Sequence, residues 1–147
     1  MKSYDPQMHT AEHILNQTMI RMFHCERSFS SHIEKKKSKC DYHFNRPLDC
    51  DEEVELTHHI NRVIGRNLEV KEHFLSLEEA SARFNLSRLP EDAGDEVRIV
   101  TIGDYDTCPC IGPHVTSSSE IGLFQLISTS HENGILRVRF KLSRLTS

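Results

Sequence analysis

The chain has 147 residues, a formal net charge of −4, 37% hydrophobic residues and 27% charged residues. That length suits one core, and a single domain over residues 1–147 is expected with the composition of a globular rather than a disordered chain. No apolar run approaches the ~20 residues of a membrane helix. The five cysteines are odd in number and irregularly spaced, so no disulfide framework is expected and a cytoplasmic location is.

The first element is predicted as a helix over residues 7–23. Ala11, Ile14, Leu15, Thr18 and Met22 fall within roughly 100° of arc at 3.6 residues per turn, making a stripe that faces a core. His9 and His13 lie one turn apart on nearly the opposite side, with Asn16, Gln17 and Ile20 near them, and are expected to face a cleft. Residues 29–33 and 38–44 read as strands, with Lys35, Lys36 and Lys37 in the turn between them. Asp49 and Glu52 have the spacing of a capping box. The helix behind it carries a stripe of Leu56, Ile60, Val63 and Ile64 and ends at Gly65.

Residues 69–75 read as a strand, and Ser76 with Glu79 repeats the capping spacing before a short helix to about residue 84. A loop around Pro90 and Gly94 leads into a strand over 97–102, followed by a turn-rich segment over 104–113. Residues 122–128 and 135–142 are expected to pair antiparallel about a turn at Asn133 and Gly134. In the last strand Val138, Phe140 and Leu142 alternate with Arg137, Arg139 and Lys141, giving one buried face and one basic face. Helices mixed with mostly antiparallel strands predict an α+β domain of two layers.

Two residue couples carry the chemistry. His9 and His13, and Cys110 and His114, each have three residues between them, and together they offer three imidazoles and a thiolate, a donor set that suits zinc. In an extended strand Cys110 and His114 would stand roughly 13 Å apart. Gly112 and Pro113 supply a bend that can bring them together. Cys108, two residues before Cys110, is a rival ligand. The H-E-x-x-H order of zinc peptidases is absent, because Glu12 precedes the second histidine rather than following the first. His58 and His59 are adjacent on a helix, point about 100° apart, and read as surface or packing residues. The acidic net charge implies no global attraction to nucleic acid. Two local clusters differ: Lys35, Lys36, Lys37 and Lys39, and Arg137, Arg139, Lys141 and Arg144. They are either solvated strand faces or a guide for an RNA backbone.

HTAEHIL at 9–15, then DTCPCIGPHV at 106–115 and EIG at 120–122, resemble the editing domain shared by alanyl- and threonyl-tRNA synthetases. More closely they resemble the shortest form of the free-standing alanyl-tRNA editing proteins of the AlaX type. The resemblance covers nearly the whole chain, including SLEEASARF at 76–84. It departs from the family at Ile111 and Pro113, where many members read C-G-G-T-H, and at the lysine-rich turn, which replaces a glutamine of many relatives. The resemblance implies the common editing-domain fold and zinc held by His9, His13, Cys110 and His114. It implies hydrolysis of the ester on a mischarged tRNA-Ala carrying serine or glycine. It also points to Ser30 first, and Ser31 second, as the hydroxyl that recognises a seryl substrate; the two face opposite ways in a strand. No side chain is identified as a general base. The competing expectations are a metal-stabilised module that binds RNA or a synthetase without hydrolysis, and editing of seryl-tRNA-Thr.

Overall fold

The computed structural model describes residues 5–84 and 95–143; the expected loop around Pro90 and Gly94, and Arg144, lie outside the described residues. The order is α1 (Pro6–Phe23), β1 (Ser30–His32), β2 (Ser38–His43), α2 (Cys50–Gly65), β3 (Val70–Ser76) and α3 (Leu77–Arg83). Then come β4 (Glu96–Ile102), β5 (Asp106–Pro109), a 3-10 turn (Ser118–Ile121), β6 (Leu123–Glu132) and β7 (Ile135–Ser143). The fold is α+β, and its antiparallel strands divide between two sheets, ordered β1-β2-β7-β6 and β3-β4-β5.

Local chemistry sets the helix starts. Asp5 caps α1 by accepting from Met8 N, with Pro6 at the first helical position, where its missing N–H costs nothing. Asp49 and Glu52 form the expected capping box of α2, each side chain accepting from the other's backbone N–H. Ser76 caps α3 through Glu79 N. The tight turn between β6 and β7 holds Asn133 and Gly134 at φ of 53° and 79°, a pair of positive values that suits a two-residue hairpin.

All four stripe residues of α2 are buried, and they pack with Tyr42, Val138, Phe140 and the apolar side of α1 into one core. Asn61 ties α2 to β6 like an extra strand residue, donating to Phe124 O at 3.0 Å and accepting from Phe124 N at 2.8 Å. A smaller core of Ala80, Val97 and Ile99 lies where α3 covers the three-stranded sheet. No helix among the described residues is long and apolar enough to cross a membrane.

Three expectations change. The turn-rich segment contains a strand, β5, which pairs antiparallel with the end of β4. The turn proper is confined to 103–105, where Gly103 sits at φ +50° and a Cβ would come within 2.9 Å of Leu68. The stripe expected of α1 also understates its burial. From Met8 to Met19 every residue except Gln17 is buried, because the helix touches α2 on one side and β5 and the 3-10 turn on another. Met22, expected in the core, is only partly buried.

The alternation in β7 holds: Val138 and Phe140 are fully buried, and across the sheet they meet Cys40 and Ser38 of β2. The opposite face lines up Lys39 with Arg139 and Asp41 with Arg137, so the two basic clusters share one surface.

Candidate metal centre

The two couples meet. The donor atoms of His9, His13, Cys110 and His114 all lie within 4.8 Å of one another, an arrangement that could hold a metal ion. α1 supplies the histidine pair by its one-turn spacing. The second couple sits on the loop after β5, which bends at Gly112 and Pro113 as expected, leaving Cys110 Sγ 3.4 Å from His114 Nε2. Arg98 of β4 holds that bend: its Nη1 donates to Cys110 O at 3.1 Å and to Gly112 O at 2.7 Å.

The outer partners of the rings decide which nitrogens face inward. His9 Nδ1 lies 3.0 Å from Pro113 O, which can only accept, so Nδ1 carries the hydrogen. His114 Nδ1 lies 2.9 Å from Thr10 Oγ1. The Thr10 hydroxyl hydrogen goes to Pro6 O at 2.9 Å, and Val115 N also donates to Thr10 Oγ1, so His114 must donate there too. His13 Nδ1 faces Asp106 Oδ2 at 3.4 Å, an ion-pair distance without hydrogen-bond alignment. For His9 and His114 the outer partner lies at Nδ1, and Nε2 is the atom turned towards Cys110 Sγ, at 3.2 and 3.4 Å. An acceptor behind each metal-facing imidazole is the usual support of a metal site.

Asp106 is the deepest of these supports. Its side chain is fully buried and accepts from Arg27 Nη1 at 2.8 Å, Arg27 Nη2 at 3.2 Å and Gln17 Nε2 at 2.9 Å. Burial alone would raise its carboxyl, but the His13 contact and the Arg27 guanidinium outweigh burial and hold it well below the ordinary range. For His13, burial lowers the imidazole, while the contacts with Asp106 and Cys110 outweigh it and raise it to about 9. Burial raises the Cys110 thiol, yet the three surrounding imidazoles bring it down to about 3. Burial, then the charge of the neighbouring rings, lowers His114 to about 4 despite the opposing pull of Cys110. The shifts favour a proton on His13 beside the Cys110 thiolate, and a metal ion would compete with that proton for the same lone pair.

The donor set fits zinc. A tetrahedron with bonds of ~2.1–2.3 Å has ligand-to-ligand edges of roughly 3.6 Å, close to the Sγ–Nε2 separations of 3.2 and 3.4 Å. Cys108 does not join the group; burial pushes its thiol up to about 11, and its Sγ donates to Pro109 O.

The two serines part as strand geometry requires. Ser31 pairs in register with Cys40, on the side facing α1, and its Oγ meets Ser28 Oγ at 2.9 Å and Cys40 Sγ at 3.6 Å. Ser30 pairs with Asp41, on the face of Arg137. Glu12 of α1 stands between Ser31's neighbourhood and the histidines. Its Oε1 is 3.8 Å from His9 Nε2, and its charge, after burial, is the next cause pushing the Cys40 thiol up. Lys35, Lys36 and Lys37 are exposed in the turn between β1 and β2. His58 lies on the surface of α2, as expected.

Asp106 appears in the sequence only as the first letter of a motif, and Thr10, Glu12 and Arg98 carried no expectation of their own. The signal for Thr10 was available: a hydroxyl one turn after Pro6 can return its hydrogen to that carbonyl and keep its lone pairs for others.

Residues 97–138 match the family described as the threonyl and alanyl tRNA synthetase second additional domain. The chain is 31% identical over 124 residues to an alanine–tRNA ligase of Pseudoalteromonas translucida, with 83% of this chain covered. It is 31% identical over 133 residues to that of Petrotoga mobilis and 33% over 125 residues to that of Halalkalibacterium halodurans. It spans only 14% to 15% of the length of these relatives. Together the matches relate the chain to the editing region of the alanyl and threonyl tRNA synthetases.

Proposed function

We propose that this protein, acting as one editing-type domain over residues 1–147, is a zinc-dependent aminoacyl-tRNA deacylase. Its substrate is mischarged tRNA-Ala carrying serine or glycine, and the reaction is hydrolysis of the ester to the terminal ribose. The observation that carries this reading is the convergence of one donor atom each from His9, His13, Cys110 and His114 within 4.8 Å. The likeness to alanine–tRNA ligases supports tRNA-Ala as the partner. The five free thiols agree with a cytoplasmic setting.

His9, His13, Cys110 and His114 would hold the zinc. When bound it would supply Lewis acidity to polarise the ester carbonyl. The chain's own residues do the rest. Pro113 O, Thr10 and Asp106 fix the rings, and Arg98 fixes the loop, so the site needs little reorganisation when the ester arrives. Of the two serines, Ser31 is the better placed to meet a seryl hydroxyl, because it shares the α1 side of the sheet with Glu12; Ser30 belongs to the outer face. A polar group left unpaired by alanine costs about 1–3 kcal/mol, or roughly five- to 150-fold in rate.

The test uses zinc-loaded protein on seryl-, glycyl- and alanyl-tRNA-Ala and on seryl-tRNA-Thr, with zinc content measured for wild type, Cys110→Ala and Cys108→Ala. Hydrolysis of seryl-tRNA-Ala at least fivefold faster than alanyl-tRNA-Ala, with zinc lost only from Cys110→Ala, is expected. Preference for seryl-tRNA-Thr would move the function to the threonyl system. Cleavage of no ester would make the protein a metal-stabilised binding module.

A further inference from the structure

Glu12 is a buried carboxylate in an unusual position. Its side chain is 11% exposed, and among the described residues it makes no side-chain hydrogen bond and has no lysine or arginine within ion-pair distance. The ionisable group at ion-pair distance is His9, with Nε2 at 3.8 Å from Oε1, while the Arg27 guanidinium acts on Glu12 through its charge from farther away. His9 in turn donates to Pro113 O through Nδ1 and turns Nε2 to Cys110 Sγ at 3.2 Å. The other carboxylate of the site, Asp106, already accepts from Arg27 and Gln17 and faces His13 at ion-pair distance. Glu12 is thus an acidic group at the edge of the donor cluster with no lysine or arginine in direct contact, and a buried carboxylate gains when a cation arrives to pair with it.

We propose that Glu12 binds the α-ammonium of the aminoacyl ester, an inference that rests on the deacylase reading. The chemistry of the substrate supplies the match. In any aminoacyl ester the ammonium is attached to the carbon next to the reacting carbonyl. A carboxylate beside the metal-facing nitrogen of His9 therefore fixes the carbonyl's position by holding the cation two bonds away. The same contact selects for a free α-amino group, so an ester whose nitrogen is already acylated, as on a growing peptide, finds an unpaired carboxylate and is rejected.

Two hydrolysis-resistant probes test this without relying on turnover. One is the amide analogue of seryl-adenosine, with nitrogen in place of the ester oxygen; the other is its counterpart lacking the α-amino group. Zinc-loaded wild type should bind the amino-bearing probe about tenfold or more tightly than its counterpart, as expected for a hydrogen bond to a charged group. Glu12→Gln should erase most of that difference while zinc content and affinity for the counterpart stay as they were. Equal affinity of wild type for the two probes overturns the assignment without any variant, and so does a preference that survives in Glu12→Gln. Loss of zinc from Glu12→Gln overturns it by making Glu12 a metal ligand. Binding of neither probe by wild type overturns the deacylase reading itself.

Discussion

Thr10 shows how much of the metal centre rests on one hydroxyl. It donates to Pro6 O and accepts from both His114 Nδ1 and Val115 N, so it sets the tautomer of one ring and pins the backbone beside it. Thr10→Val keeps the shape and removes both acceptances. Zinc affinity, read by competition with a chelator, should then fall about 10- to 100-fold, the usual effect of deleting a ligand's outer partner. Thr10→Ser keeps the oxygen and should lose much less. Affinity unchanged in the valine variant would show that the ring needs no such support.

Among the elements, the hairpin of β1 and β2 and the edge of β7 bring two sequence-distant basic clusters to one surface, with Lys39 opposite Arg139. Neutralising Lys35, Lys36 and Lys37 together should weaken tRNA binding and reduce its salt slope by about one per lysine in contact with phosphate. An unchanged slope would leave the turn as solvated surface. Legibility at this scale followed the range of the interactions. The helix caps at Asp49 and Ser76, the Asn133–Gly134 turn and the β7 alternation are local, and each was readable from a few residues. β5 was not, because Asp106-Thr107-Cys108-Pro109 carries no alternation and becomes a strand only by pairing with β4. The four donors that converge here were legible as a group from residue type and spacing, but their surroundings were not. The α1 stripe located the apolar side and could not tell that the polar side is covered too. There Asn16 accepts from Ser28 N and Tyr42 OH, and Thr18 donates to Ile14 O, so polar groups are buried with their partners.

In the whole molecule, Asp106 joins three separate stretches: α1 through His13 and Gln17, the segment before β1 through Arg27, and β5 itself. Its carboxyl is held below the ordinary range, so it stabilises the fold fully above the ordinary carboxylate value of about 4, and that contribution is lost as pH falls towards its lowered native value. Asp106→Asn leaves the partly buried Arg27 without its anion. It should cost about 3 kcal/mol at neutral pH and flatten the acid limb of stability, measured by urea unfolding from pH 7 to 3. An acid limb as steep as wild type would assign the effect to other carboxylates. The division of the four donors between α1 and the loop after β5 has a wider consequence. Either half alone is a two-donor chelate open to water; the fold supplies each half to the other at a high effective concentration, as a linker does for a bivalent ligand. Metal affinity would then be a gauge of how firmly the three-stranded sheet is seated against the first helix. A substitution far from the four donors that loosens that seat would surface as released metal while the main core is still folded.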